Sequence, residues 1–168
     1  MGWVFRRLSE ADLPELLDLQ EPAAVAGLAS VFPQDTHPFP RDAVLQRWRD
    51  ELADPAIATY VAEDAAAGLV GFAARRDDEV LHFGTDLHVW GSGAASWLLD
   101  ELLGTFESDV HRVRLWVFTD NGRGRRFWEK HGWRPTGRMA HSSFAPYPEL
   151  LEYERARTDE SRTAHRSD

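Results

Sequence analysis

The segment EVLHFGTDLHVWGSGAA, Glu79 to Ala95, constrains this chain more than any other stretch. It reads as an extended segment from Glu79 to Val89, the turn Trp90-Gly91-Ser92-Gly93, and a helix from Ala94 to about Phe106. Gly91 and Gly93 let backbone N–H groups turn outward, and Ala94 and Ala95 leave room for a bulky ligand at the first helical turn. Unsatisfied N–H groups with a helix dipole behind them make an anion site suited to a pyrophosphate. A plain strand–turn–helix junction also favours glycine. A P-loop is excluded, because Gly93-Ala94-Ala95 lacks the lysine and the hydroxyl. A dinucleotide fingerprint, Gly91-x-Gly93-x-x-Ser96, requires a continuously apolar strand before it, and Asp86 and His88 interrupt this one.

The rest of the chain frames that junction. Val4 to Leu8 reads as a strand, and Ser9 with Asp12 as a near capping box for an amphipathic helix from Ala11 to Gln20. Glu21 to Pro40 carries four prolines and no periodicity, so a long loop bordering a substrate site is expected there. Arg41 to Leu52 reads as a helix that stops at Asp54-Pro55. Ala58 to Glu63 and Leu69 to Arg75 form a hairpin pattern, and Val113 to Phe118 a strand. Asn121 to His131 is helical with Gly132 as its C′ glycine, and strands follow near Trp133 to Gly137 and Leu150 to Ala156. No repeat or linker divides the 168 residues, so residues 1–156 are expected to form one mixed α/β domain. Residues 157–168 read as a polar, disordered tail.

Composition narrows the chemistry. With no cysteine, the chain can hold neither disulfides nor zinc–thiolate or iron–sulfur sites, which fits a reducing cytoplasm. Met1 to Ser9 does not read as a signal peptide, and no apolar run nears the roughly 20 residues of a membrane span, so a cytoplasmic protein without a membrane partner is expected. The net charge of −9 opposes nucleic-acid binding. It suits a cationic substrate, although an acidic balance more often serves solubility. His82 and His88 share an even spacing, but no third ligand stands at a recognisable distance, so no metal site is expected. Among seven tryptophans, Trp97 and Trp116 fit core positions, and Trp48 and Trp90 are candidates for lining a cleft.

A second motif gives the junction a meaning. After the strand RVRLWVF comes N121-G-R-G-R-R-F-W-E-K-H-G-W133. Together the two segments resemble the GNAT superfamily of N-acetyltransferases, and the resemblance runs from VFRRLSEADLPEL to LLEYERA. The family's phosphate loop, Gln/Arg-x-x-Gly-x-Gly/Ala, falls on Trp90, Gly91, Ser92, Gly93, Ala94 and Ala95, with Trp90 a departure at the first place. The family's Asn-x-x-Ala-x-x-Phe-Tyr-Glu-Lys-x-Gly-Phe falls on Asn121, Phe127, Glu129, Lys130 and Gly132. Gly124 replaces its alanine, Trp128 its tyrosine and Trp133 its last phenylalanine.

The resemblance implies a mixed, mostly antiparallel sheet whose two central parallel strands splay, flanked by helices. It implies acetyl-CoA as co-substrate, without a metal, and a primary amine of a small molecule as acceptor, attacking directly in a ternary complex. Backbone groups of Phe83, Gly84 and Thr85 would hold the pantetheine arm and polarise the thioester. Asn121 would hold it from the other side, a role compatible with capping the next helix. Trp128 would lie beside the arm. Glu79, eleven residues before Trp90, matches the position of a catalytic glutamate in many members. His82, His88 and water are the alternative proton routes. Trp128 cannot serve as the acid that the family's tyrosine provides, and His141, Ser142, Ser143 and Tyr147 are unranked substitutes. That departure keeps open a CoA-binding protein without turnover, and a protein-directed acetyltransferase is a further alternative. A homodimer is compatible with the fold, and no motif decides the oligomeric state.

Overall fold

The computed structural model of the chain describes residues 2–157. Seven strands form one sheet: β1 (Trp3–Arg7), β2 (Ile57–Asp64), β3 (Gly68–Arg76), β4 (Glu79–Thr85), β5 (Arg112–Phe118), β6 (Arg134–His141) and β7 (Glu149–Ala156). Their spatial order is β1-β2-β3-β4-β5-β7-β6. Every neighbouring pair is antiparallel except β4 and β5. Four helices accompany them: α1 (Leu13–Gly27), α2 (Arg41–Ala53), α3 (Ala94–Gly104) and α4 (Gly122–Lys130). The expected mixed sheet with one central parallel pair is the sheet that forms. Among the described residues, no helix is long and apolar enough to cross a membrane.

The sheet is covered on both faces, which is why the central strands read as nearly continuous apolar runs. Successive side chains of a strand point to opposite faces. On one face Val61, Phe72 and Ala74 pack with Leu13, Leu16 and Leu17 of α1 and Trp48 of α2. On the other, Tyr60, Ala73, Val113 and Leu115 pack with Leu99 and Leu102 of α3 and Trp128 of α4. Trp48 is wholly buried, whereas Trp116 and Trp97, expected in the core, are only half-buried. Arg138 lies over the Trp116 ring, and Trp97 packs on Trp3.

Four sequence expectations shift by a few residues. Ser9 and Asp12 do form a capping box, but it closes a 3-10 turn over Glu10–Asp12, and α1 starts only at Leu13. Helix α1 then runs through Pro22 to Gly27 instead of ending at Gln20. Pro22 leaves the Asp18 carbonyl without its helical donor. The following Ala23, Ala24 and Ala26 are strong helix formers, and the Leu28 N–H closes on the Ala24 carbonyl at 2.8 Å. The loop is therefore the shorter stretch 28–40. Strand β4 ends at Thr85 because the Asp86 carboxylate accepts the His88 N–H, at 2.9 Å, and starts a 3-10 turn over Leu87–Val89. Strand β6 runs on to His141. The tail expected over 157–168 lies outside the described residues from 158 onward. Arg157 itself is buried, its N–H donating to the His111 carbonyl at 2.9 Å.

The capping box is tied into the sheet. Arg6 of β1 donates to both Asp12 oxygens at 2.8 Å, and Asp12 Oδ2 also accepts the Ser9 N–H at 2.8 Å. The Arg6 hydrogen bond holds the Asp12 carboxyl down at about 2. Asp12→Asn should therefore lower stability by about 1 kcal/mol at pH 7, allowing for the solvent around Arg6. The sign follows from linkage: a depressed carboxyl contributes above its ordinary pKa and loses that contribution on protonation. The gap between wild type and variant in denaturant titrations should close as pH falls from about 4 toward 2. A variant as stable as wild type at pH 7 would contradict this role for Asp12.

Candidate active site

Strands β4 and β5 are in register at only two positions, Glu79 with Arg114 and Val80 with Leu115. Beyond Val80 they part. β5 stays paired to β7 along its whole length, and β4 stays paired to β3 as far as Thr85 with Gly71. The gap between them belongs to a cavity of about 700 Å³. Phe83, Gly84 and Thr85 line it from β4, and Trp116 to Phe118 from β5. This leaves the β5-facing edge of residues 81–85 without a neighbouring strand, its Thr85 carbonyl taken by Trp90 and the rest able to pair with an extended ligand as a strand would.

A β-bulge aims the side chains of β4. Opposite the adjacent β3 residues Ala74 and Arg75 stand His82 and Val80, so Leu81 is the extra residue. Bulges re-aim side chains beside functional sites. Here Val80 and Phe83 both pack toward α3 and α4, while His82 is released to the α2 side. There His82 lies against Trp48, with ring centroids 5.0 Å apart. Its Nε2 lies 2.8 Å from Glu51 Oε1. His88, in the 3-10 turn, shares no strand face with His82.

At the open end of the gap, Gly91 and Gly93 have φ of 79° and 91°, the left-handed region that glycine occupies without strain. Gly93 caps α3 and its carbonyl accepts the Trp97 N–H. Ser92 Oγ accepts the Ala94 N–H at 3.3 Å. The next two N–H groups, of Ala95 and Ser96, have no partner in the helix, as expected of a first turn. Trp90 is pinned by its Nε1 donating to the Thr85 carbonyl at 3.2 Å, and the Arg123 guanidinium lies flat over its ring. Arg123, at the start of α4, was not singled out in the sequence. Only its nearness to Asn121 in a basic run could have drawn attention to it. The open N–H groups, the positive-φ glycines, the free β4 edge and this cation together fit a polyanion with an extended arm.

Asn121 caps α4, its Oδ1 accepting the Gly124 N–H at 2.9 Å. A Cβ at position 124 would run into that amide, which accounts for glycine where the family motif has alanine. Asn121 also lines the cavity, so capping and ligand contact coexist. Trp128 reaches the cavity from α4, buried against Phe83, Phe127 and Trp133. Glu79 is placed differently. It sits at the closed end of the gap, buried, near Arg114 at 3.5 Å and Arg76 at 3.7 Å, and it does not line the cavity. Of the residues considered as substitute acids, none lines it either; only Phe144 and Ala145 of that loop do.

The far wall is the stretch 28–40 with α1 and α2. Gln34 braces this loop, donating to the Phe32 carbonyl and accepting from the Phe39 N–H, and Phe32 meets Phe118 edge-on at 5.3 Å. Arg41 ties the start of α2 to Asp18 and Glu21 of α1. The loop expected to border a substrate site does line the cavity, now with the last turn of α1.

Residues 14–133 match the acetyltransferase (GNAT) family. The fold is similar to that of the PaiA N-acetyltransferase from Thermoplasma acidophilum in complex with coenzyme A, with a TM-score of 0.71 and 17% identity over 94% of this chain and 100% of that one. It is also similar to spermidine N-acetyltransferase from Vibrio cholerae in complex with CoA and spermine, with a TM-score of 0.67 and 17% identity over 92% of this chain and 95% of that one. No curated protein matches the chain.

Burial pushes the His82 imidazole below its ordinary pKa, with Arg47 adding to that and the Glu51 hydrogen bond opposing it. His82 is therefore neutral at pH 7, and folding resists its protonation. Followed by NMR, its ring signals should titrate below 6.5, and lower still in Glu51→Gln, which loses the opposing partner. A midpoint at or above 6.5 in the wild type would contradict this environment.

Proposed function

Because the chain belongs to the acetyltransferase (GNAT) family, we propose that it transfers an acetyl group from acetyl-CoA to a primary amine of a small molecule, by direct attack in a ternary complex. One observation carries the reading: a single cavity runs from the glycine turn, along the parted strands, to His82. Ala95, Ser96 and Arg123 would receive the phosphates, and the free edge of Phe83, Gly84 and Thr85 the extended arm. When bound, acetyl-CoA supplies an activated thioester to the acceptor.

An alkyl amine arrives protonated, with a pKa near 10, and must lose a proton to become a nucleophile. The resemblance offered Glu79 for this task. His82 is the better-placed group, since it lines the cavity whereas Glu79 is held among arginines outside it. If Nε2–H donates to Glu51, Nδ1 is left as the proton acceptor, and Glu51 stabilises the imidazolium that forms. Backbone N–H groups on the free β4 edge are available to the carbonyl oxygen as it gains charge. Trp128 offers no acid, and a thiol of pKa about 8.5 departs as a thiolate without one.

Trp128 also favours a second reading, a CoA-binding protein without turnover. The two readings divide on thiol release with a panel of amines.

Acetyl-CoA at 100 times its dissociation constant should stabilise the protein by about 2.7 kcal/mol. Gly93→Asp, which puts a carboxylate beside the open N–H groups, should abolish that shift. An absent shift at millimolar acetyl-CoA in the wild type would remove the co-substrate from the proposal. With an accepted amine, His82→Asn should lower kcat by about 10²- to 10⁴-fold and flatten the rise of rate with pH. Glu79→Gln should keep the wild-type pH profile. The opposite pattern would return the proton to Glu79.

A further inference from the structure

The acceptor end of the cavity has an electrostatic character opposite to that of the whole protein. The chain carries a net charge of −9, yet no aspartate or glutamate is among the described residues lining the cavity. The charged side chains that line it are Arg47 and Arg123. Arg123 stacks on Trp90 beside the glycine turn, at the end suited to phosphates. Arg47 is on α2, one residue from Trp48 and one helical turn from Glu51, on the side of the cavity that holds His82.

Arg47 feels the charge of Glu51, one helical turn away, but is not tied to it. It makes no ion pair within 4 Å and no hydrogen bond among the described residues, and its Nε is buried without a partner. Glu51 is engaged with His82 through Oε1, and its Oε2 is buried without a hydrogen bond. Burial lowers the Arg47 pKa, but a guanidinium stays charged at any working pH. An arginine on a cavity wall with its donors unused is available to an anionic ligand that enters the cavity. A guanidinium presents paired donors that match a carboxylate, phosphonate or phosphinate in two-point fashion. Phe39, Val44 and Phe72 give the same cavity apolar surface.

Resting on the acetyl-transfer reading above, we propose that the acceptor is an amine that also carries an anionic group, held by Arg47, with an apolar body against the loop 28–40. Arg47 thereby positions the amine toward His82. A polycation is excluded from the same pocket by the Arg47 charge and by the lack of carboxylates to receive it.

The test is thiol release from acetyl-CoA by the full chain with matched amines: L-phenylalanine against phenethylamine, L-leucine against isoamylamine, and spermidine as polycation. The carboxylated member of a pair should be preferred by about 100-fold in kcat/KM. Arg47→Met should raise KM for that substrate about 10- to 100-fold while kcat changes little, and should erase the preference within the pair. Arg47→Lys should restore part of it. The acetyl-CoA melting shift, unchanged in Arg47→Met, would show that the variant folds. Were Arg47 instead a structural partner of Glu51, its loss would alter kcat and the pH profile and leave KM and the preference intact, and this overturns the proposal. Thiol release only with the amines that lack a carboxylate, or with spermidine, overturns it too, while the acetyltransferase reading stands. Release with no amine at all overturns the acetyltransferase reading and this proposal together.

Discussion

On its β5 side, β4 is satisfied only as far as Val80. Past that residue a run of peptide groups at the centre of a seven-stranded sheet faces a gap instead of a neighbour. Buried backbone donors and acceptors need partners, so such an edge persists only where water or a ligand can reach it. The rest of the molecule keeps the gap open. β7 and β3 hold the two strands from their outer sides, α3 and α4 fill one face, and the loop 28–40 with α1 and α2 walls the other. The Leu81 bulge adds the chemical asymmetry, sending Phe83 toward α4 and His82 toward Trp48 of α2.

Electrostatics are divided along the same line. The acidic surplus lies elsewhere, while the two arginines facing the cavity stand at opposite ends of it, one by the glycine turn and one by His82. Net charge therefore speaks to solubility and long-range attraction, while the field inside the cavity comes from a few local charges. The same separation explains why Glu79 and His82, three residues apart on one strand, are so different. One is neutralised by Arg76 and Arg114 where the strands are still paired; the other lies where they have opened.

Much of the fold was legible because it is written locally. Gly91, Gly93 and the small residues after them announce a turn into a helix, and the apolar runs of β2 and β3 and the alternation of β5 announce strands. The misreadings have one cause, local rules overridden by neighbours. Pro22 looked like a helix end, but the alanines after it and the pairing of Asp18 and Glu21 with Arg41 carry α1 onward. The segment to Val89 looked extended, but Asp86 turns it into a 3-10 turn. The Leu81 bulge is invisible in sequence, since it depends on β3, and it sets which side of the sheet His82 faces. Arg47 is likewise one arginine among many until its place on the cavity wall is seen in three dimensions.

The central claim is that the free edge of β4 and the first turn of α3 hold the two parts of one ligand. Amide hydrogen exchange of the full chain, with and without acetyl-CoA, reads those groups directly. The account predicts new protection at Phe83 and Thr85 and at Ala95 and Ser96 together, with β6 and β7 unchanged. Protection confined to other segments, or none at either place under saturating acetyl-CoA, would contradict it.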